Sequence, residues 1–318
     1  MKMYGMFTPI FILAYLVYQA TARNVGLVKQ DHQRIVGGTS AAFGELPWQG
    51  YLTTSSGQYC GCSLLSSTWA ITAAHCTAGS SATDLTVAFG QIDRRTFTSA
   101  QEYSIAELHD HPSYSGTTLE NDISLLKIDG SISVGGNVQT ISIPATPGVD
   151  VTAGTSCLIS GWGTTSFGGT SSDVLLKATV PIISDTDCVG WYSSFGFTVY
   201  TSVQLCAGYQ TGGTDTCQGD SGGPLACQDS SGTYYLEGLT SWGVGCAYSR
   251  RPGVYTRMSE YVEWINSTSG ITPLSSSVAT VITTSDEVTT TGGGKTFSGS
   301  LFVVILMTTV QVILTTIF

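Results

Sequence analysis

Charge is scarce in this chain, and positive charge is scarcer still. Only 11% of its 318 residues are Asp, Glu, Lys or Arg, and the net charge is −10. Between residues 35 and 267 the cations are Arg94, Arg95, Lys127, Lys177, Arg250, Arg251 and Arg257, against nineteen Asp and Glu. Phosphate backbones are held by clustered basic side chains, so no nucleic-acid partner is expected. The acidity reads as solubility. Long helical periodicity is missing too, apart from a short segment near Ser259–Ile265. In its place, runs of Val, Ile, Tyr and Thr punctuated by Gly, Ser and Asn recur along residues 35–265. That pattern predicts an all-β fold, a sandwich or a pair of barrels, in one large domain or two smaller ones. Histidine is rare as well, with only His32, His75, His109 and His111.

The two ends differ in kind from the middle. Residues 1–22, MKMYGMFTPIFILAYLVYQATA, carry Lys2, an apolar run over Phe7–Val17 and small residues at Ala20-Thr21-Ala22. These are the three parts of a secretory signal peptide, and the apolar run is short for a membrane span. The expected location is therefore extracellular, where the nine cysteines can pair, although nine leaves at least one without an intramolecular partner. Residues 268–300 are rich in Ser, Thr and Gly and read as a flexible stalk, open to O-glycosylation. Leu301–Phe318 is uncharged to its last residue, and at a rise of about 1.5 Å per residue it could just cross a bilayer. No Lys or Arg follows it. Small residues at Thr291–Gly294, a polar spacer and an apolar tail favour a GPI-attachment signal, with a transmembrane helix as the alternative. Either way a membrane anchor at the cell surface is expected.

Three internal stretches carry chemistry. ITAAHC (Ile71–Cys76) ends an apolar run in His75. NDISLLKI (Asn121–Ile128) leads into a strand with Asp122. GTDTCQGDSGGP (Gly213–Pro224) crowds four glycines around Ser221. Alone, each is an ordinary structural His, a capping Asp or a tight turn. Together, in the order His, Asp, Ser at long separations, they suggest an activated nucleophile. A serine hydroxyl attacks a carbonyl only as a base takes its proton, and imidazole has the right basicity near neutral pH.

With IVGG, CLISGWG, CAGY, TSWGVGC and RPGVYT in the same order, the chain from Ile35 to about Ser267 resembles the trypsin-like serine endopeptidases of the chymotrypsin fold. The resemblance implies two six-stranded antiparallel β-barrels with a short C-terminal helix, and an active site in the cleft between the barrels. It implies a triad of Ser221 as nucleophile, His75 as base and Asp122 orienting the imidazole. The N–H groups of Gly219 and Ser221 would hold the oxyanion. Asp215 falls at the floor of the primary specificity pocket, which implies cleavage after Arg or Lys. Thr216 stands beside that floor, and Gly243 and Gly253 fall at its walls. Ser241-Trp242-Gly243 matches the edge that pairs with substrate backbone as an added strand. Arg34-Ile35 is a trypsin-type cleavage bond, so residues 23–34 read as an activation pro-segment of a zymogen. The freed Ile35 amine would then pair with Asp220. The family pattern pairs Cys60–Cys76, Cys157–Cys227, Cys188–Cys206 and Cys217–Cys246, each contributing a few kcal/mol.

Two departures from the family stand out. Cys62 replaces the usual glycine of CGGSL, as a buried free thiol or as half of an intermolecular bridge, and it could disturb the pairing of Cys60. The segment Gly90–Tyr103 matches a loop that binds calcium in some relatives, but it is short and lacks the expected pair of glutamates. No metal and no cofactor is therefore expected. The same loop holds Arg94-Arg95, the most obvious site for self-cleavage. Asn266-Ser267-Thr268 is a glycosylation sequon. The expected partners are protein or peptide substrates with Arg or Lys before the scissile bond, an activating trypsin-like protease and protein protease inhibitors. Two rival readings are an inactive homologue that acts as a binding protein and a soluble digestive or secretory enzyme.

Overall fold

A computed structural model describes residues 35–273. The expected signal peptide, the pro-segment with Arg34, most of the stalk and the apolar tail lie outside the described residues. Among the described residues, twelve of thirteen strands form two closed antiparallel barrels. The first runs β2 (Gln49–Thr54), β3 (Tyr59–Ser66), β4 (Trp69–Thr72), β7 (Ser124–Ile128), β6 (Glu102–Asp110) and β5 (Leu85–Phe89), which returns to β2. The second runs β9 (Leu176–Ile183), β10 (Gln204–Ala207), β13 (Gly253–Arg257), β12 (Tyr234–Trp242), β11 (Pro224–Gln228) and β8 (Ser156–Gly161), and pairing of β8 with β9 closes it. β1 (Thr39–Ser40) pairs with β9, so the chain is pinned to the second barrel before it enters the first. Closure removes exposed strand edges, which a chain this rich in β-branched residues would otherwise present.

Each barrel has its own apolar filling. Leu52, Leu64, Val87, Phe89 and Leu126 fill the first, and Ile35, Ile159, Leu176, Val180 and Leu225 fill the second. A third cluster lies on the seam and draws Trp48, Ile71 and Leu125 together with Trp162, Leu236 and Leu239. The C-terminal turn and helix pack on this seam through Met258, Val262 and Ile265. That double coverage explains why β3 and β4 are buried along nearly their whole length instead of alternating. The seam is apolar in its interior and polar at its mouth, where the chemistry-bearing loops converge.

Two helices flank the second barrel. Helix α2 (Val262–Ser269) follows a 3₁₀ turn at Met258–Tyr261 and ends at Gly270, whose φ of +75° gives a left-handed cap. Helix α1 (Asp185–Ser193) has no counterpart in the periodicity reading. Of its residues only Cys188 and Tyr192 are buried, so it shows no apolar stripe to detect. Its start is set instead by Ser184, whose hydroxyl accepts from the Asp187 N–H at 3.1 Å, and by Asp185 and Asp187 in the first turn.

Candidate active site

His75 and Asp122 emerge from the same end of two neighbouring strands. β4 and β7 are paired with Thr72 opposite Ser124, so the residues just beyond Thr72 and just before Ser124 meet above the barrel. His75 lies in a 3₁₀ turn, Ala74–Cys76, and the disulfide from Cys76 to Cys60 fastens that turn to β3. Asp122 is fully buried, and its carboxylate accepts three hydrogen bonds. The His75 backbone N–H donates to Oδ1 at 2.8 Å, His75 Nδ1 lies 2.7 Å from Oδ2, and Ser241 Oγ donates to Oδ2 at 2.6 Å. An imidazole that donates its Nδ1–H to this carboxylate presents Nε2 as the acceptor.

The loop around Ser221 is pressed against the first barrel by glycines. A Cβ on Gly222 would meet Thr72 Oγ1 at 2.0 Å, and a Cβ on Gly61 would meet the Gly223 Cα at 2.7 Å. The Gly61 N–H donates to the Ser221 carbonyl at 2.7 Å across the seam. Ser221 is thereby delivered beside the strand end that carries His75. Among the described residues no hydrogen bond joins Ser221 to His75, and the polar contact of His75 Nε2 is Cys76 Sγ at 3.8 Å. Such bonds commonly tighten only around a substrate. Gly219 adopts φ +93°, a conformation that side chains resist, and a Cβ there would lie 2.4 Å from the Tyr59 ring. Among the described residues, neither the Gly219 nor the Ser221 N–H is spent on a backbone carbonyl.

Behind this loop, Asp220 is fully buried and accepts from the Gly163 and Cys217 N–H groups at 2.8 and 2.9 Å. Burial pushes its carboxyl up to about 6, with those two donors opposing the rise. Beside Ser221 opens a cavity of about 200 Å³ lined by Asp215, Thr216, Ser241, Trp242, Gly243 and Gly253. Asp215 is 3% exposed, and burial lifts its carboxyl to about 7. Its two oxygens accept from the N–H groups of Thr216 at 2.9 Å and Ala247 at 3.0 Å. A Cβ on Gly253 would approach Asp215 Oδ1 to 2.9 Å, whereas a Cβ on Gly243 would come no closer than 3.7 Å to any described residue beyond its chain neighbours. Gly253 thus makes room for the carboxylate, and Gly243 leaves space in the cavity itself. The Thr216 hydroxyl lies 3.4 Å from Tyr255 Oη. The disulfides Cys217–Cys246, Cys188–Cys206 and Cys157–Cys227 brace the pocket, α1 and the barrel wall.

A family model described as trypsin matches residues 35–265. The chain belongs to the trypsin family. It is 41% identical over 243 residues to trypsin-1 of Astacus astacus, covering 74% of this chain and all of that protein. It is 40% identical over 242 residues to trypsin I-P1 of Gallus gallus (75% and 90% covered) and 38% over 240 to the trypsin of Sus scrofa (75% and 96%). This trypsin-like serine endopeptidase thus has the chymotrypsin fold of two six-stranded barrels.

Several contacts in this trypsin-family site were not legible in the motifs. A bulge in β12 between Thr240 and Trp242 turns the Ser241 side chain onto Asp122, a role beyond the backbone edge expected of that segment. Thr256 on β13 adds a hydrogen bond to the Asp122 carbonyl at 2.6 Å. Trp242 packs against Tyr192 of α1, with ring centroids 5.0 Å apart and the planes tilted by 60°. Cys62 is fully buried in the first barrel, and burial pushes its thiol far up, which leaves it out of reach of an intermolecular bridge. The Cys60–Cys76 bond forms beside it. The pair Arg94-Arg95 is less open than its sequence suggests: Arg95 is 63% exposed, but Arg94 only 25%. Among the described residues, the grouping of ligand atoms close enough for a metal ion is Cys60, His75 and Cys76, and there both sulfurs are committed to the disulfide. Asn266 is exposed on α2, where its amide donates to the Ile271 carbonyl at 3.2 Å. Among the described residues no helix is long and apolar enough to cross a membrane.

Proposed function

We propose that this protein is the zymogen of a secreted endopeptidase that cleaves after Arg or Lys and is tethered to the cell surface by its C-terminal segment. The observation that carries the specificity is Asp215, a buried carboxylate lining a narrow pocket that also borders Ser221. A long cationic side chain entering that pocket would meet Asp215 and bring the next peptide bond to the serine. Ser221 Oγ attacks the carbonyl carbon while its proton passes to His75 Nε2. Asp122 stabilises the imidazolium, and the Gly219 and Ser221 N–H groups receive the negative oxygen. Collapse breaks the C–N bond, His75 returns the proton to the leaving amine, and water hydrolyses the acyl-enzyme by the same relay. The Thr216 hydroxyl would receive a lysine ammonium, and the Ser241-Trp242-Gly243 edge would pair with the substrate backbone.

Activation follows from Asp220 and Ile35. A fully buried carboxyl with two N–H donors and, among the described residues, no cation paired with it favours an incoming ammonium. Ile35 is buried in the second barrel at φ +52°, a strained value for a β-branched residue that chain cleavage would release. Cleavage after Arg34 by a trypsin-like protease supplies the Ile35 ammonium. Because an α-amino group titrates near 8, activity declines at alkaline pH as that amine loses its proton. Arg34→Gln holds the protein in its precursor form, and full activity of uncleaved protein would refute the scheme. Asn266 carries a glycan, and GPI attachment is favoured over a transmembrane tail. Release from cells by a phosphatidylinositol-specific phospholipase supports the former, whereas retention supports the latter.

The deciding experiment is turnover of an Arg-containing peptide by protein cleaved at Arg34–Ile35, compared with Ser221→Ala. Serine-dependent turnover is expected. Its absence from the cleaved wild-type protein would leave the inactive-homologue reading in its place.

A further inference from the structure

Arg94 reaches across the seam between the barrels. It lies on the 3₁₀ turn Arg94–Thr96, attached to the first barrel, and its guanidinium serves groups on both. Nη1 donates to Tyr51 Oη on β2 at 3.4 Å, and Nη2 donates to Ser171 Oγ at 3.1 Å and Asp173 Oδ1 at 3.0 Å, both from the segment leading to β9. The backbone repeats the link, with the Arg94 N–H on the Asp173 carbonyl at 2.9 Å. Its third kind of donor, Nε, is buried without a partner, so the fork is aimed at the seam at the expense of that N–H.

The guanidinium also faces an aromatic pair. Its carbon lies 5.7 Å from the centroid of Tyr59, and Tyr59 stacks on Tyr51 at 5.8 Å and 22°. The Tyr59 ring in turn borders Gly219 so closely that a Cβ on Gly219 would overlap it at 2.4 Å. One line of contacts therefore runs from Asp173 through Arg94 and Tyr59 to the backbone of Gly219. Arginine suits the first link, because a planar fork can hold several oxygens and lie against a ring while a lysine ammonium offers one point charge.

We propose that Arg94 is a positioning residue for the oxyanion donor, clamping the Tyr51–Tyr59 stack so that Tyr59 limits where the Gly219 backbone can move. The proposal rests on the reading of Gly219 N–H as that donor. It also explains why the loop bearing Arg94-Arg95 is built inward. A donor displaced by a fraction of an ångström loses much of its effect on the transition state while leaving the specificity pocket untouched.

The test uses activated Arg94→Ala, Arg94→Lys and Tyr59→Ala beside wild type and Ser221→Ala. Three readouts separate the roles: kcat and KM on an arginyl amide, affinity for benzamidine, which occupies only the pocket, and affinity for a peptide boronate, whose adduct is tetrahedral. Arg94→Ala should lower kcat and boronate affinity together by about 10- to 100-fold, with KM and benzamidine affinity within about twofold. Arg94→Lys should recover less than half of the loss on a logarithmic scale. Tyr59→Ala should reproduce the loss, and the double variant should add little to it. Equal weakening of benzamidine and boronate, additive losses, or lower thermal stability with unchanged kcat would each overturn the proposal. Arg94→Lys carries the test if Arg94→Ala fails to fold. Absence of serine-dependent turnover in the wild-type control would count against the proposed function itself, not against this inference alone.

Discussion

The second barrel holds two cavities of similar size, each lined by a buried acid, and they are built for different ends. The first, about 200 Å³, contains Asp215; the other, about 180 Å³, contains Glu237 together with Asp150, Asp185 and Arg257. Burial lifts both acids to about 7. Asp215 has a backbone N–H on each oxygen. Glu237 has the Val151 N–H on Oε1 at 3.2 Å, while its Oε2 has no partner. The nearby Arg257 opposes the rise only in part, because it is paired with Asp150 and, at 2.7 Å, with Asp185. Two carboxyls can therefore share a titration range and differ in whether the protein is organised to receive their charge. At Asp215 fixed dipoles are in place for a carboxylate, and a substrate cation can complete them. At Glu237 ionisation leaves a buried oxygen unsatisfied.

The largest expected effect breaks this comparison at its functional end. Asp215→Asn keeps the shape and removes the charge, so a guanidinium entering the pocket loses its ion pair in a desolvated site. We expect kcat/KM on arginyl peptides to fall on the order of 10³-fold or more, with cleavage of substrates bearing a neutral side chain far less affected. A uniform loss over both substrates would place Asp215 in the support of the loop instead. Next in size is Gly219→Ala, which forces a side chain into φ +93° and against Tyr59. It should cost about 10²-fold in kcat, with benzamidine affinity nearly unchanged, because Gly219 is not among the residues that line the pocket.

How much of this was legible beforehand follows from where the information sits in the chain. His75, Asp122 and Ser221 each lie in a contiguous motif, so they stand out in the sequence as candidates, whereas repeated short β-runs left a sandwich and a pair of barrels both open and the family resemblance pointed to the barrels. Contacts made by single side chains across the seam could not. Ser241 turns onto Asp122 because of a bulge, Thr256 reaches the same residue from β13, and Arg94 looked like a loose basic pair. Helix α1 escaped because a short helix with two inward residues carries no periodic signal. Glu237 was invisible for a related reason: in YYLEGLTSW it reads as an ordinary strand acid, and only the closed barrel buries it.

A smaller effect sharpens the comparison through pH. With its carboxyl at about 7, Asp215 gains a proton as pH falls through that value and ceases to attract a cation. Bound substrate favours the carboxylate, so the dependence belongs to kcat/KM, which reports the free enzyme, more than to kcat. The ratio of kcat/KM for an arginyl substrate to that for a neutral one should decline by up to about tenfold per pH unit below about 7. Taking the ratio cancels every group that serves both substrates. A flat ratio between about pH 8 and pH 5 would mean that the backbone donors hold Asp215 ionised throughout.

The smallest expected effect tests the other cavity. A carboxyl whose folded value is raised from 4.5 to about 7 holds its proton in the folded protein while the unfolded chain has already lost it. Stability contributed by that retained proton is intact below about 4.5 and is lost progressively as pH rises to about 7, where Glu237 must ionise in place. Glu237→Gln removes the liability, although its amide needs a partner of its own. In a Ser221→Ala background, which prevents self-digestion, the substitution should raise the thermal midpoint by about 2–4 °C at pH near 8. Near pH 4, where both side chains are neutral, the difference should vanish. A loss of stability at both pH values would mean that the Glu237 carboxylate is held by a bound cation or ordered water in solution, and that the two cavities are more alike than their hydrogen bonds indicate.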